Sequence, residues 1–266
     1  KTNNDNEDFF IDSNGDQISM IAEISTEPED GEALKLDFDK EFAIMPLRNM
    51  VMFPHVVMPV SIGRSSTLKL VNVAFRKKQP IVLVCQTSSE VDAPGYSDLY
   101  HVGVIARVVR IFDMPGGTTT VIMQSSGPKV HLDSIVHTYP YMRGKVTPLE
   151  DNEEYDSSDE FQALIDSCKD LANKLVEKSD KLNPETTFAI KNLEHPVILV
   201  NFICANFPFS AEEKVQMLEC ANLKDRMYRL IQSLSREIHL ADIKQAIQMR
   251  TREDIDRQQR EYFLHQ

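Results

Sequence analysis

FAIMPLRNMVMFPHVVMPVSIGR, running from Phe42 to Arg64, decides how the rest of this chain is read. It is dense in apolar residues and interrupted by Pro46, Pro54 and Pro59. A proline lacks the backbone donor and pushes the residue before it toward extended geometry, so these three suit strand edges, bulges and corners rather than a central ladder. The stretch is therefore expected to be extended, folded back on itself and only partly paired. Met45, Leu47, Met50, Val51, Met52, Phe53, Val56, Val57, Met58 and Val60 carry too much apolar surface to be left in water. A core covers them or a partner does.

Downstream, Gly63 to Ser66 reads as the end of a strand and the start of a helix, with Leu68, Val71 and Phe75 on its apolar face and Arg76, Lys77 and Lys78 at its C-terminal end. Gln79-Pro80 stops that helix, and Ile81 to Cys85 is a buried strand. Residues 87–98 have loop composition. Val102, Val104, Ala106 and Val108 alternate as one face of a strand, and Gly116-Gly117 turns the chain into a hairpin whose return begins near Thr118. Val130, Leu132 and Val146 continue the strand pattern to Pro148.

Upstream, residues 1–40 are rich in Asp, Glu, Asn and Ser and read as an acidic, mostly disordered tail. Beyond the β-rich region of 41–150 comes an acidic linker at 151–159, where charge is expected to be mere solvation. The period then becomes helical. Ser157 to Glu160 offers a capping box ahead of a stripe through Phe161, Leu164, Ile165, Cys168, Leu171 and Leu175. Asn183-Pro184 and His195-Pro196 start two further helices, and Ser210 to Glu213 is a second capping box. Met227, Leu230, Leu234, Ile238 and Ala241 form a long seam. The expected organisation is thus an α+β chain: a small β-barrel or curled-sheet domain, then an all-α bundle over 160–241, ending in a long helix over 242–266. That helix reaches the last residue with no C-capping Gly or breaking Pro, so the natural protein is expected to continue it.

Composition narrows the function. A net charge of −12 disfavours nucleic acid as a partner, because phosphate binding needs a clustered positive surface. No apolar run approaches the ~18 residues that span a bilayer, and the acidic N-terminus is no secretory signal. Cys85, Cys168, Cys204 and Cys220 lack paired or metal-ligand spacing and read as reduced core thiols, which points to the cytoplasm. The sequence holds no phosphate-binding Gly-rich loop with Lys, no Ser elbow and no zinc motif, so no catalytic, cofactor or metal residue is assigned. Binding remains. The surface expected to carry it is Met50, Phe53 and Met58, whose thioethers and ring adapt to varied apolar partners, beside Arg64, Ser66 and Lys69 at the start of the helix.

Several motifs in register also carry a family resemblance. Pro46-Leu47-Arg48-Asn49, Phe53-Pro54, Pro59, Gly63-Arg64-Ser65, Pro94-Gly95, Asp98 to Ala106 and Pro115-Gly116-Gly117 resemble the N-terminal region of Lon, the ATP-dependent serine protease, and Arg257 to Leu264 resembles its long helix toward the ATPase module. Ser125 to Lys129 departs from the family pattern. The resemblance covers about residues 42–266. It implies a PUA-like β domain and a helical bundle that form the non-catalytic substrate-recognition and assembly region of a homohexameric protease. Its partners would be unfolded or tagged proteins, with ATP, Mg and the Ser-Lys dyad supplied elsewhere in the parent. The alternative is a stand-alone Lon-domain adaptor or substrate receptor.

Overall fold

The computed structural model describes residues 36–155 and 157–264. The acidic segment 1–35 lies outside the described residues. Residues 36–40, assigned to the tail by composition, form a turn, and Leu36 and Phe38 pack against buried residues of the sheet, with the Phe38 and Phe42 rings 5.6 Å apart. Residues 36–40 thus belong to the β domain despite their acidic composition.

Among the described residues the β domain contains β1 (Phe42–Leu47), β2 (Val57–Ile62), helix α1 (Ser65–Lys77), β3 (Ile81–Gln86), β4 (Leu99–Asp113), β5 (Thr119–His137) and β6 (Arg143–Pro148). The sheet order is β2-β5-β4-β3-β1-β6, and β5 also pairs with β6. That last pairing closes five strands into a barrel. It is possible because β5 is 19 residues long: its first part pairs with β2 and its last part with β6. Gly116 and Gly117, at φ 102° and 83°, make the β4–β5 turn as the sequence predicts, in conformations that cost glycine little.

β3 shows how the core divides. Ile81, Leu83 and Cys85 belong to one apolar cluster, and Val82 and Val84 to another with Phe42, Ile44, Ile105, Leu132 and Val146. The second cluster fills the barrel. The first runs without a break into the helical region, which is why all six residues of β3 are buried. On α1 the buried positions are Thr67, Leu70, Val71 and Ala74, whereas Phe75 is 43% exposed, so the stripe expected through Phe75 is displaced by about one residue.

The helical region comprises α2 (Asp159–Lys178), α3 (Thr186–Asn192), α4 (Pro196–Asn206), α5 (Ala211–Glu219) and α6 (Leu223–Leu264). Ser158, not Ser157, caps α2 by accepting from the amide of Phe161, so the box expected with Glu160 does not form. Glu160 instead accepts from Lys224 and Tyr228 on α6. The box at Ser210 and Glu213 forms as predicted. Glu160 pairs with Lys224, and Lys178 pairs with Asp242, each across 64 positions, so α2 and α6 run parallel in constant register. Met227, Leu230, Leu234 and Ile238 are buried along this seam.

The acidic linker is a structural joint. Asp151 accepts from Arg226 on α6 at 3.2 Å and lies 3.3 Å from the ammonium of Lys129 on β5. Lys129 also donates to the carbonyls of Leu218 and Cys220, and Arg226 to those of Met217 and Cys220 and to Asn201. These donors are nearly inaccessible, and each charge is met by oxygen, the condition under which buried ions are tolerated. Two residues on, Glu153 accepts from His55 at 3.0 Å. Solvated charge was the expectation for this segment; packing against cations on both sides overturns it.

Candidate functional site

The outer edge of β2 and the open end of β1 flank a groove of about 540 Å³. Its floor and walls come from Met45, Leu47 and Met50 on one side, Val60 and Ile62 on the other, and Thr67 from the first turn of α1, with Arg48, Arg64 and Asp92 at the rim. β1 meets β6 only at Phe42 and Ala43, so among the described residues the strand has no ladder partner on that side farther along. Among the described residues β2 pairs with β5 alone.

Backbone direction alternates along a strand, and this places the prolines. The amide of Ile44 donates to Met142, on the β6 side, so Pro46, two residues on, presents its missing donor to that open side. The carbonyl of Val56 accepts from Ser125 of β5, so Met58, Val60 and Ile62 face β5, and Val57, Pro59 and Ser61 face outward. Each strand edge that flanks the groove thus carries a proline where a ladder donor would stand. Strand addition is blunted on both sides.

Of the residues expected to bind, the structure brings Met50 and Arg64 to this groove. Phe53 and Met58 are corrections: they are 0% and 6% exposed, inside the cluster that the β domain shares with the helices. The bundle of the same chain is what covers them, through a loop held by Asn201, whose side-chain amide donates to the carbonyl of Pro54 at 2.9 Å. Met52, at 2%, is buried likewise. Ser66 and Lys69 lie on α1 outside the groove lining, and the Lys69 ammonium sits 5.9 Å from the centroid of the Tyr139 ring. Arg48, exposed at the rim, was missed, while Met45, Ile62 and Thr67 border the groove as buried residues. The signal available for them was the pair Pro46 and Pro59, one on each edge.

Arg64 is the best-fixed cation of the rim. It donates to the side-chain oxygen of Gln86 at 2.5 Å and to the carbonyl of Val91 at 3.2 Å. Burial first, then the like charge of Arg48, pushes its guanidinium below the ordinary arginine value. It also occupies the N-cap position of α1 without capping it, and the first turn of that helix has no acidic residue. The positive end of the helix dipole therefore adds to the rim. The Gly116-Gly117 turn joins two strands rather than a strand and a helix and lies outside the groove lining.

A closed curl of sheet, locked to a helical bundle and carrying an apolar groove with a cationic rim, defines a binding module. A family model described as the ATP-dependent protease La (LON) substrate-binding domain matches residues 41–236. The chain belongs to this family. It is 42% identical over 254 residues to a Lon protease of Parabacteroides distasonis, covering 94% of this chain and 31% of the relative. To a Lon protease of Flavobacterium johnsoniae it is 37% identical over 240 residues, covering 90% and 29%. The chain thus spans just under a third of these relatives. A solved structure titled N terminal domain of Mycobacterium avium complex Lon protease shares the fold, with a TM-score of 0.57 and 17% identity over 74% of this chain and 98% of that one. Among the described residues no helix is long and apolar enough to cross a membrane.

Proposed function

We propose that this chain is the non-catalytic substrate-recognition and assembly region of an ATP-dependent Lon-type protease, and that the groove takes apolar side chains of unfolded or tagged polypeptides. ATP and Mg serve the rest of that parent, a cytoplasmic homohexamer. The observation that carries the reading is the groove itself: it lies between two strand edges, a half-buried Met50 that adapts to different occupants opens onto it, and the buried side chains of Met45, Leu47, Val60 and Ile62 back it. Family membership supports the substrate class. The adaptor alternative has no separate observation in its favour, and similarity to Lon proteases runs over 94% of the chain.

Amide exchange tests it. Addition of a permanently unfolded polypeptide is expected to raise protection at residues 45–50 and 59–67, and Met50→Asp to abolish the change. Unaltered exchange in both segments would remove the groove from consideration.

A further inference from the structure

The charge around the groove is unbalanced. Arg48 and Arg64 converge on one oxygen, the carbonyl of Val91, at 3.4 and 3.2 Å, and the amide of Gln86 donates to the same oxygen at 2.9 Å. Two guanidinium groups are thereby held side by side. Among the described residues the one carboxylate lining the groove is Asp92, paired with Arg48 at 2.8 Å, but its side chain is 94% exposed, and such a pair is weak and easily exchanged. The Nε of Arg64 is buried and has no hydrogen-bond partner, so the guanidinium is one acceptor short.

A second set of observations limits how a polypeptide can lie there. Pro46 and Pro59 remove a donor from each flanking edge, so a strand running through the groove gains little ladder on either side. The volume, about 540 Å³, suits a few residues rather than a long segment. What remains to be read is a side chain on the apolar floor and an anion at the rim, a combination that a chain terminus presents on adjacent atoms.

We infer that the groove captures polypeptide C-termini, with the last side chain, an apolar one, against the half-buried Met50 and the terminal carboxylate on Arg48 and Arg64. Arginine pairs favour this group because their planar donors match a carboxylate fork. The inference rests on the groove being the substrate site proposed above, and adds which part of the substrate enters it.

The test uses the 266-residue chain and a short labelled peptide ending in leucine, made as the free acid, as the C-terminal amide, and as an amide with glutamate at the penultimate position. Binding is followed by fluorescence anisotropy. The free acid is expected to bind at least ~10-fold more tightly than either amide, as befits a charge-assisted contact. Arg48→Gln should bring the free acid toward the plain amide, whereas Lys69→Gln, outside the groove, should change nothing. Equal binding of acid and plain amide, both weakened by Met50→Asp, overturns terminal capture and leaves the groove as substrate site. Binding of the glutamate amide as tight as the free acid overturns it in favour of an acidic side chain. Failure of all three peptides to bind overturns the groove reading and the inference together.

Discussion

Asn201, in the middle of α4, donates to the carbonyl of Pro54 and accepts from Arg226 of α6 at 2.7 Å. One fully buried amide therefore joins the proline loop of the β domain to two helices of the bundle. Asn201→Leu keeps the volume but leaves the Pro54 carbonyl and one Arg226 donor unmet. We expect a loss of about 2–4 kcal/mol, read from urea unfolding, with the β and helical signals still unfolding together.

Asp151 answers two buried cations, Lys129 and Arg226, whose side chains are 2% and 1% exposed. Asp151→Ala strands both charges and should cost about 3–5 kcal/mol. Lys129→Met in the same background should recover part of this, because the charge that lacks a partner is then gone. Failure of the second change to restore stability would mean that Lys129 is satisfied by the carbonyls of Leu218 and Cys220 alone.

Lys214 on α5 is buried and donates to the carbonyl of Ala205 at 2.6 Å; burial pushes its ammonium down to about 8. The folded state then binds fewer protons than the unfolded chain from about pH 8 up to the ordinary lysine value. The cost of burying the charge is fully present below pH 8 and is relieved as pH rises through that window. The buried thiols act in the opposite sense, since burial raises Cys168 and Cys204 and keeps them protonated in the fold. The informative quantity is the stability difference between Lys214→Met and the parent chain. The variant's advantage should shrink between pH 8 and 10; a constant difference would show that Lys214 keeps its charge in the fold throughout that range, with no lowering by burial.

The carboxyl of Glu153 is held below its ordinary value, mainly by its hydrogen bond with His55. Its contribution is present above the unfolded carboxylate value and disappears as pH falls through the lowered one. His55→Ala should lower stability near neutrality and leave it unchanged at the acid end, so that the stability curve falls less steeply below pH 5, with thermal melts at several pH values as the readout.

A Cβ at Gly144 would lie 2.3 Å from the carbonyl oxygen of Ser134. Gly144 pairs with Phe42 of β1 and Ile135 of β5, where β6 closes the barrel. Gly144→Ala is expected to cost about 3 kcal/mol or to open that closure, visible as loss of amide protection in β6 before the rest of the sheet.

Local signals were legible in the sequence wherever one short stretch decides the structure. The Gly116-Gly117 turn, the Ser210–Glu213 box, the alternation from Val102 to Val108 and the seam from Met227 to Ile238 needed no knowledge of what lay across from them. The burial of Phe53 and Met58 did not belong to this class, because it depends on a bundle beginning more than a hundred residues later. Asp151 was misread for the same reason: its composition is that of a linker, and its cations come from β5 and α6. The site was half legible. Pro46 and Pro59 announced two strand edges, but the facing of those edges follows from the sheet order, which the length of β5 sets.

α6 leaves the bundle near Ala241, and every described residue from Asp242 to Leu264 is exposed. At 1.5 Å per residue that portion reaches roughly 34 Å past its last packed turn. The parallel register of α2 fixes its base like a clamped beam. A tilt of about 10° at the clamp would sweep the far end by ~6 Å, so small adjustments around Lys178 and Asp242 are mechanically amplified. The α2–α6 seam sets the gain of that lever.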